Sequence, residues 1–137
     1  DLTAGSRKEK SCGEEIALAK QRGLDTRRIT ISSDGQGSLS NYDARGNLTQ
    51  IGVSSVKTLH EQFVRMVKEN DFDLAEALSY VTSNPADALQ LSRKGRLREG
   101  MDADIVLLDN DLAIDTVIAR GQLMMKDKQL RVRGTYE

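Results

Sequence analysis

The 137-residue sequence has one cysteine, one proline, one histidine and no tryptophan. A single cysteine excludes an internal disulfide framework, and the absence of a Cys/His cluster excludes a structural zinc site within the chain. Three Tyr and two Phe supply little aromatic surface, so we expect an aliphatic core. No apolar run approaches the roughly 20 residues that a membrane-spanning helix requires, and residues 1–10 have no hydrophobic signal core. These absences predict a soluble, cytoplasmic protein with no membrane partner.

Charge is nearly balanced, with 20 Lys and Arg against 21 Asp and Glu and a net charge of −1. Because no basic excess exists, nucleic acid is a poor candidate partner. Hydrophobic residues make up 38% of the chain, close to the globular average once the 11 glycines are added, which argues against a disordered chain. The chain begins with Asp1 rather than methionine, so we expect it to be part of a longer protein.

The first third of the chain predicts a helix followed by a short strand. Ser11 and Glu14 fit the capping-box pattern S-x-x-E at the start of a helix over residues 11–23. Residues 28–33 then alternate apolar and polar side chains, which predicts a strand that stops at Asp34. A helix that leads into a strand and a polar loop is typical of half of a β/α unit.

The middle of the chain predicts a long loop and three helices. Residues 35–56 are rich in Gly, Ser and Asn, and a loop of about 20 residues in a compact domain is more often functional than idle. Asp73 and Asn84 are expected to cap the second and third helices. The helices are predicted over residues 56–68, 73–80 and 84–91.

The C-terminal third predicts short strands instead of helices. Asp127-Lys128 is expected to form a hairpin turn between two of them. The charged stretch 92–98 predicts a domain boundary, with one domain over residues 1–92 and another over 93–137, and the acid-base mixture of residues 92–104 predicts a solvated face. The strands are predicted over residues 104–108, 114–119, 122–126 and 129–133.

Asp34 is the first candidate functional residue, because it lies at the carboxyl end of a predicted strand. In α/β barrels and open α/β sheets, ligands and catalytic groups collect at this edge. A carboxylate there can ligate a divalent cation or move a proton to and from a metal-bound water. From position alone the simpler interpretation is a turn, since Asp and Gly are common turn residues.

The loop after Asp34 is a second candidate. Backbone N–H groups near Gly35 and Gly37, with the Ser38 hydroxyl, could bind an anion. The loop lacks the lysine and the directly following helix of a P-loop, so a plain flexible loop is the favoured interpretation. His60 has no second metal-ligating residue beside it, and Cys12 has no neighbouring histidine, so we expect structural roles for both.

Longer strings carry more information than these single residues. The segment ITISSDGQGS, residues 29–38, resembles the last barrel strand and following loop of the isoaspartyl dipeptidases, metal-dependent members of the amidohydrolase superfamily. Asp1-Leu2-Thr3 fits the stretch after the seventh barrel strand of that family. The C-terminal strings are common across the superfamily, whereas S-S-D-G-x-G-S is the narrower signal. Strings agree in order and spacing over residues 46–53, 82–86, 94–95, 100–104, 117–121 and 134–137.

The resemblance implies an α/β fold: the C-terminal part of a TIM (β/α)₈ barrel, its last strand and helices, plus the C-terminal strands of a small β-sandwich. It implies hydrolysis of β-aspartyl dipeptides with two zinc ions bridged by a carbamylated lysine and a hydroxide. Asp34 matches the aspartate that contacts the metals, takes the proton of the hydroxide and delivers it to the leaving amine. Ser38 matches a residue that hydrogen-bonds a substrate carboxylate, with Gly35 and Gly37 in the same loop. The whole enzyme is expected to be a homo-oligomer.

The other family ligands, a His-x-His pair, the lysine and two later histidines, fall upstream of Asp1 in this resemblance. We therefore expect this chain to be a C-terminal fragment that is inactive alone and binds zinc weakly or not at all. Two alternatives stay open. The whole protein could be another amidohydrolase that acts on cyclic amides or N-acyl amino acids, or the chain could be an independent, non-catalytic module that binds an anion or a protein.

Overall fold

The computed structural model describes residues 1–5, 11–38 and 40–134. The chain forms two compact units, residues 1–89 and 90–137. The sequence places the boundary between residues 92 and 93, three residues later than the structure does.

The first unit begins with two strands that pair in parallel, with Leu2 opposite Ile31. The helix between them makes this a β-α-β unit. Asp1-Leu2-Thr3, expected to follow a strand, thus contains a strand itself. The elements of the unit are β1 (Leu2–Thr3), α1 (Cys12–Gln21), β2 (Ile31–Ser32), β3 (Asn41–Tyr42), β4 (Leu48–Gln50), α2 (Lys57–Lys68), α3 (Leu74–Ser79) and α4 (Ser83–Ala88).

The predicted start of α1 is confirmed. The Ser11 hydroxyl accepts a hydrogen bond from the Glu14 backbone N–H at 3.2 Å, and the Glu14 carboxylate accepts one from the Ser11 N–H at 2.6 Å. Gly23, just beyond the helix, has a φ of +72°, a left-handed conformation that glycine adopts without strain. Local sequence is therefore sufficient to define both ends of this helix.

Strand β2 is shorter than the predicted 28–33. Residues Thr26–Arg28 form a 3₁₀ turn instead. On the edge of β2 that faces away from β1, the Ile31 N–H donates to the Tyr80 carbonyl at 3.0 Å, and the Asn84 side chain donates to the Ile29 carbonyl at 2.8 Å. The prediction that Asn84 caps α4 is wrong, because the helix already begins at Ser83 and the Asn84 side chain instead donates to a residue 55 positions away.

The prediction of a loop over residues 35–56 is also wrong, because strands β3 and β4 form a hairpin there. Asn41 pairs with Gln50, and their side-chain amides hydrogen-bond at 2.8 Å. At the tip, the Asp43 carboxylate accepts from the Asn47 backbone N–H at 2.9 Å, and Gly46 has a φ of +83°. The hairpin has a polar sequence of low strand propensity, so its pairing comes from the turn and from amide contacts.

Helices α1, α2 and α3 surround the core of the first unit. Its largest fully buried side chains are Ile16, Met66 and Tyr80. The prediction of an aliphatic core is only partly correct, because the core also contains three of the five aromatic residues, Phe63, Phe72 and Tyr80. The Phe72 and Tyr80 rings meet edge to face with centroids 6.2 Å apart. The few aromatic residues of the chain thus concentrate where they bury most surface.

The second unit is a four-stranded antiparallel meander in the order β5-β6-β7-β8. The predicted turn at Asp127-Lys128 is confirmed, with φ values of +51° and +61° that fit a type I′ hairpin. The strands are β5 (Ile105–Leu108), β6 (Ile114–Ala119), β7 (Gln122–Lys126) and β8 (Gln129–Leu130). Strand β8 ends earlier than the predicted 129–133.

The charged residues before β5 form an ordered set of ion pairs on an exposed surface. Asp102 lies 2.8 Å from Arg93 and 3.1 Å from Lys94, and Lys94 also contacts Asp104. Hydrogen bonds to Asp104 and Asp102 raise the pKa of Lys94. Within the part of the chain that the structure describes, no helix is long and apolar enough to cross a membrane.

Candidate functional site

Asp34 lies just beyond β2, at the carboxyl end of the parallel pair β1–β2. It opens a β-turn in which the Gly37 N–H donates to the Asp34 carbonyl at 2.9 Å. Gln36, the third residue of the turn, has a φ of +71°, the pattern of a type II turn. The interpretation of this segment as a turn is thus correct, and the turn holds the Asp34 side chain exposed at the strand end.

Two glycines allow the turn to close. A Cβ atom on Gly37 would lie 2.8 Å from both the carbonyl oxygen and the Oδ1 of Asp34, so the carboxylate folds over this glycine. A Cβ atom on Gly35 would lie 2.5 Å from Cγ1 of Val56. Any side chain at either position would displace Asp34 or the segment that leads into α2.

The backbone amides of the turn have partners within the protein. The N–H groups of Gly35, Gln36 and Gly37 donate to the Ser33 hydroxyl at 3.1 Å, the Ser54 carbonyl at 3.0 Å and the Asp34 carbonyl at 2.9 Å. These three amides are thus not available to an anion, whereas the exposed Ser38 hydroxyl can still donate to one.

The turn and the β3–β4 hairpin form one antiparallel structure, which we call the Asp34 ribbon (residues 34–38 and 40–54). Ser54 closes its base, since its N–H donates to the Gly37 carbonyl at 2.8 Å and its carbonyl accepts from Gln36. Ser38 and Val53 form the next bridge. Asn41 and Gln50 pair three residues further along the same two segments, so the turn at Asp34 and the hairpin share these segments.

Ser38 is exposed, and its Oγ lies 2.9 Å from the Oγ of Ser40. Ser54 is buried, and its Oγ has no hydrogen-bond partner among the described residues. A Cβ atom on Gly5 would lie 3.0 Å from that Oγ, so Gly5, the second residue after β1, lies against the base of the ribbon. Ser40 and Ser54 were not singled out from sequence, where the only available signal was the serine content of the predicted loop.

The Asp34 carboxylate makes no hydrogen bond or ion pair with the described residues, so it is available to a ligand. A metal site needs several ligands that lie close together, and one carboxylate does not make one. Among residues 1–5, 11–38 and 40–134, no group of three His, Cys, Asp or Glu side chains could hold a metal ion. Asp34 could thus serve as one ligand of a metal site, but the described residues do not provide a complete set of ligands for one.

The other two candidates have structural surroundings. His60 is half-buried on α2 with its ring centroid 5.9 Å from that of Phe63. Cys12 is buried at the start of α1 without a disulfide. Among the described residues, neither side chain belongs to a group of three His, Cys, Asp or Glu that could hold a metal ion.

A surface cavity of about 350 Å³ lies elsewhere, lined by Arg27, Arg28, Asn84, Asp87 and Ala88. These residues include the turn that precedes β2, so the cavity is at the amino end of the strand. Arg27 is paired with Asp25 at 2.9 Å and lowers the pKa of that carboxyl to about 2. In α/β barrels this end serves stability, whereas chemistry occurs at the carboxyl end, where Asp34 lies.

Comparison with known proteins identifies relatives over most of the chain. The model of the amidohydrolase family matches residues 7–124. The crystal structure of the beta-aspartyl dipeptidase from Fervidobacterium islandicum AW-1, in complex with a beta-Asp-Leu dipeptide, superposes with a TM-score of 0.83. It is 35% identical in sequence over 98% of this chain, which corresponds to 34% of the dipeptidase chain.

Curated relatives have other substrates in their names. An alpha-D-ribose 1-methylphosphonate 5-triphosphate diphosphatase from Escherichia coli K12 is 35% identical over 63% of this chain and 26% of its own length. An N-acetylglucosamine-6-phosphate deacetylase from Lysinibacillus sphaericus is 28% identical over 62% of this chain and 25% of its own length. The chain thus spans about a quarter of these relatives.

Proposed function

Because this chain belongs to the amidohydrolase family, we propose that it is the C-terminal part of a zinc-dependent β-aspartyl (isoaspartyl) dipeptidase. In this proposal residues 1–92 are the last part of a (β/α)₈ barrel, with β2 as its last strand. Residues 93–137 are the C-terminal strands of a small β-sandwich. The proposal includes a cytoplasmic location and a homo-oligomeric whole enzyme.

The position of Asp34 carries this proposal. An uncommitted carboxylate stands at the carboxyl end of a parallel β-α-β unit, the edge at which barrel enzymes perform chemistry. The S-S-D-G-x-G-S string that contains it points to the dipeptidases among amidohydrolases. The superposition on a dipeptidase over 98% of the chain is consistent with that choice.

In the proposed mechanism, water adds to the carbonyl carbon of the β-aspartyl amide, and the C–N bond breaks. Asp34 accepts the proton of the attacking water and delivers it to the leaving nitrogen, so the carboxylate is regenerated in each cycle. The two zinc ions, when bound, polarise the scissile carbonyl and acidify water. Asp34 would be one of their ligands, and the remaining ligands would come from the part of the longer protein outside this chain.

Substrate binding is assigned to the loop after Asp34. The exposed Ser38 hydroxyl would donate to a carboxylate of the dipeptide, a charge-assisted hydrogen bond. Gly35 and Gly37 would make no contact with the substrate through a side chain. Their lack of a Cβ atom allows the tight turn on which Asp34 and Ser38 lie. We propose that the 137-residue chain alone is inactive, since it supplies one metal ligand and part of the substrate site.

An alternative is an amidohydrolase that cleaves a cyclic amide or an N-acyl amino acid. The deacetylase among the relatives supports it, because its name describes the removal of an acyl group from nitrogen. An independent, non-catalytic module is less well supported, since the family match extends across both compact units.

The test uses the full-length protein that contains this chain, with β-Asp-Leu, a cyclic amide and an N-acetyl amino acid as substrates. We expect hydrolysis of β-Asp-Leu, a loss of roughly 10²- to 10⁴-fold in kcat for Asp34→Asn, and little loss of bound zinc. Asp71→Asn is the matched control, because Asp34 and Asp71 are both exposed and both have a positive φ, +48° and +56°.

Near-normal turnover of Asp34→Asn would remove Asp34 from the mechanism. Turnover of the cyclic or N-acetyl substrate with none of β-Asp-Leu would favour the alternative. Hydrolysis of β-Asp-Leu by the 137-residue chain itself, lost on Asp34→Asn, would contradict the proposal that the chain alone is inactive.

A further inference from the structure

We infer that Ser40 is a positioning residue that orients the Ser38 hydroxyl toward a carboxylate of the substrate. This inference rests on the proposed function, since it concerns how the dipeptide is bound. The observation behind it is the distance of 2.9 Å between the two Oγ atoms, within the range of a hydrogen bond between hydroxyls.

The two hydroxyls differ in exposure. Ser38 is exposed, whereas Ser40 is partly buried. The two residues are two positions apart in the sequence, and their side chains meet through the contact between the Oγ atoms. A ligand therefore reaches Ser38 first, with Ser40 behind it.

Counting protons shows what the pair can do. Each hydroxyl has one proton to donate and two lone pairs that accept. The bond between Ser38 and Ser40 uses one proton, so one remains for a ligand. A carboxylate only accepts, and at Ser38 it selects the arrangement in which Ser40 donates to Ser38 and Ser38 donates to the carboxylate. Such a chain strengthens both bonds, because each donor polarises the next.

The Asp34 ribbon holds the pair in place on both sides. Ser38 is bridged to Val53, and Asn41, the residue after Ser40, is paired with Gln50 through backbone and side chain. Since the amides from Gly35 to Gly37 have internal partners, the hydroxyl of Ser38 is the donor that this turn can offer to an anion.

The ligand chemistry follows from the proposed substrate. A β-aspartyl dipeptide has two carboxylates that are not cleaved, the α-carboxylate of the aspartyl residue and the C-terminal carboxylate. The Ser38–Ser40 pair would bind one of them. Replacing each in turn by a carboxamide distinguishes the two, because a carboxamide has no full negative charge to accept the bond.

The experiment measures kcat and KM of the full-length enzyme for β-Asp-Leu and for its two carboxamide analogues. For Ser40→Ala we expect KM for β-Asp-Leu to rise roughly 3- to 10-fold, the loss of one hydrogen bond, with kcat nearly unchanged. Ser40→Thr keeps a hydroxyl and should restore most of the affinity. Thr49→Ala, which removes an exposed hydroxyl from β4, is the control and should leave KM unchanged.

Coupling to Ser38 separates a positioning role from a purely structural one. Ser38→Ala should raise KM more than Ser40→Ala, and the double variant should match Ser38→Ala alone, since Ser40 acts through Ser38. On the analogue that lacks the bound carboxylate, Ser40→Ala should have no further effect.

Additive effects of the two substitutions, an equal effect on all three substrates, or a normal KM for Ser40→Ala would overturn the inference while the proposed function stands. If the wild-type enzyme hydrolyses no β-aspartyl dipeptide, the proposed function fails and this inference fails with it.

Discussion

The two units of the chain differ in how they bury apolar surface. Every buried hydrophobic side chain among the described residues lies in residues 1–89. In the sheet of the second unit, Thr116 is buried. Four apolar side chains of this sheet are 40–61% exposed: Val106, Leu107, Leu123 and Leu130. Helices packed around a common core bury one another's apolar side chains. A single sheet buries the apolar side chains of a face only when a second layer packs against that face.

The two units also place their charges differently. In the first unit, Lys20, Glu76 and Tyr80 form a partly buried network in which the Tyr80 hydroxyl donates to Glu76 at 2.7 Å and Lys20 lies 4.3 Å above the Phe72 ring. Burial raises the pKa of Glu76, but hydrogen bonds from Lys20 and Tyr80 outweigh it and the net pKa is lowered. In the second unit the ion pairs are on the surface, where solvent weakens them. The first unit should therefore respond more strongly to substitution.

The largest expected difference comes from truncating one apolar side chain in each unit. Ile16→Ala should lower the free energy of unfolding by about 2–5 kcal/mol, because Ile16 is fully buried and its removal leaves a cavity. Leu107→Ala, at a side chain 52% exposed, should change it by less than about 0.5 kcal/mol. Urea unfolding of the 137-residue chain, followed by circular dichroism, measures both.

A large loss of unfolding free energy for Leu107→Ala in this chain would contradict the difference between the two units, because it would mean that the sheet is covered at Leu107. Measuring the same two substitutions in the full-length protein tests the difference between the units further. If upstream residues cover the sheet, Leu107→Ala should become clearly destabilising while the effect of Ile16→Ala stays similar.

A smaller effect is expected from the buried phenol. Tyr80→Phe should destabilise the first unit by about 1–2 kcal/mol at neutral pH, because the Glu76 carboxylate loses a donor. Burial, reinforced by the Glu76 carboxylate, raises the pKa of Tyr80 to about 12 from an ordinary value of 10.0. The folded state thus keeps the phenol proton to a higher pH than the unfolded chain, so this contribution falls as pH rises from about 10 to about 12.

Urea unfolding of wild type and Tyr80→Phe at several pH values between 8 and about 12 tests this, with the difference between the two proteins as the readout. The wild-type advantage should shrink across that interval. Tyr42→Phe is the control, because Tyr42 is 64% exposed and should show no such trend. A constant difference would show that Tyr80 does not titrate as argued.

The smallest effect is a gain in the second unit. Arg120-Gly121 forms a turn between β6 and β7 with φ values of +49° and +82°. Arg120→Asn produces the Asn-Gly pair that type I′ turns prefer and should raise the free energy of unfolding by up to about 1 kcal/mol. Lys126→Asn, within β7, should lower it or leave it unchanged, since Asn is disfavoured in strands. Chemical denaturation of the two variants in parallel measures both free energies of unfolding. If both variants are less stable than the wild type, Arg120-Gly121 does not gain stability from a better type I′ turn sequence.

Elements whose signals are local were predicted well. The capping box of Ser11 and Glu14 and the cap at Asp73, whose carboxylate accepts from the Ala75 and Glu76 N–H groups, involve residues within three positions of each other. The turn at Asp127-Lys128 is equally local. Such contacts form wherever the segment adopts the element, so a short window of sequence is enough to predict them.

Elements that depend on distant partners were mispredicted. Asn84 has the sequence features of a helix cap, yet its side chain donates to Ile29, on the strand edge. Residues 41–50 have low strand propensity, yet they pair through the turn at the tip of the hairpin and the amide contact between Asn41 and Gln50. The same reason explains the candidate site. Asp34 and Ser38 are candidates because of their motif, whereas Ser40 and Ser54 depend on side-chain contacts that no motif describes.

Local sequence was thus sufficient to specify α1, α3, the hairpin turn at Asp127-Lys128 and a turn at Asp34, and the string around Asp34 is the basis of the chemistry proposed for it. Tertiary structure decided that β1 lies beside β2, that Asp34 stands at the open end of this pair, and that the ribbon joins it to the β3–β4 hairpin. The physical reason is the range of the interactions. Caps and turns are satisfied by neighbours within a few residues, but the partners that position a site come from segments about 20 to 55 residues apart, whose pairing only the folded chain makes favourable.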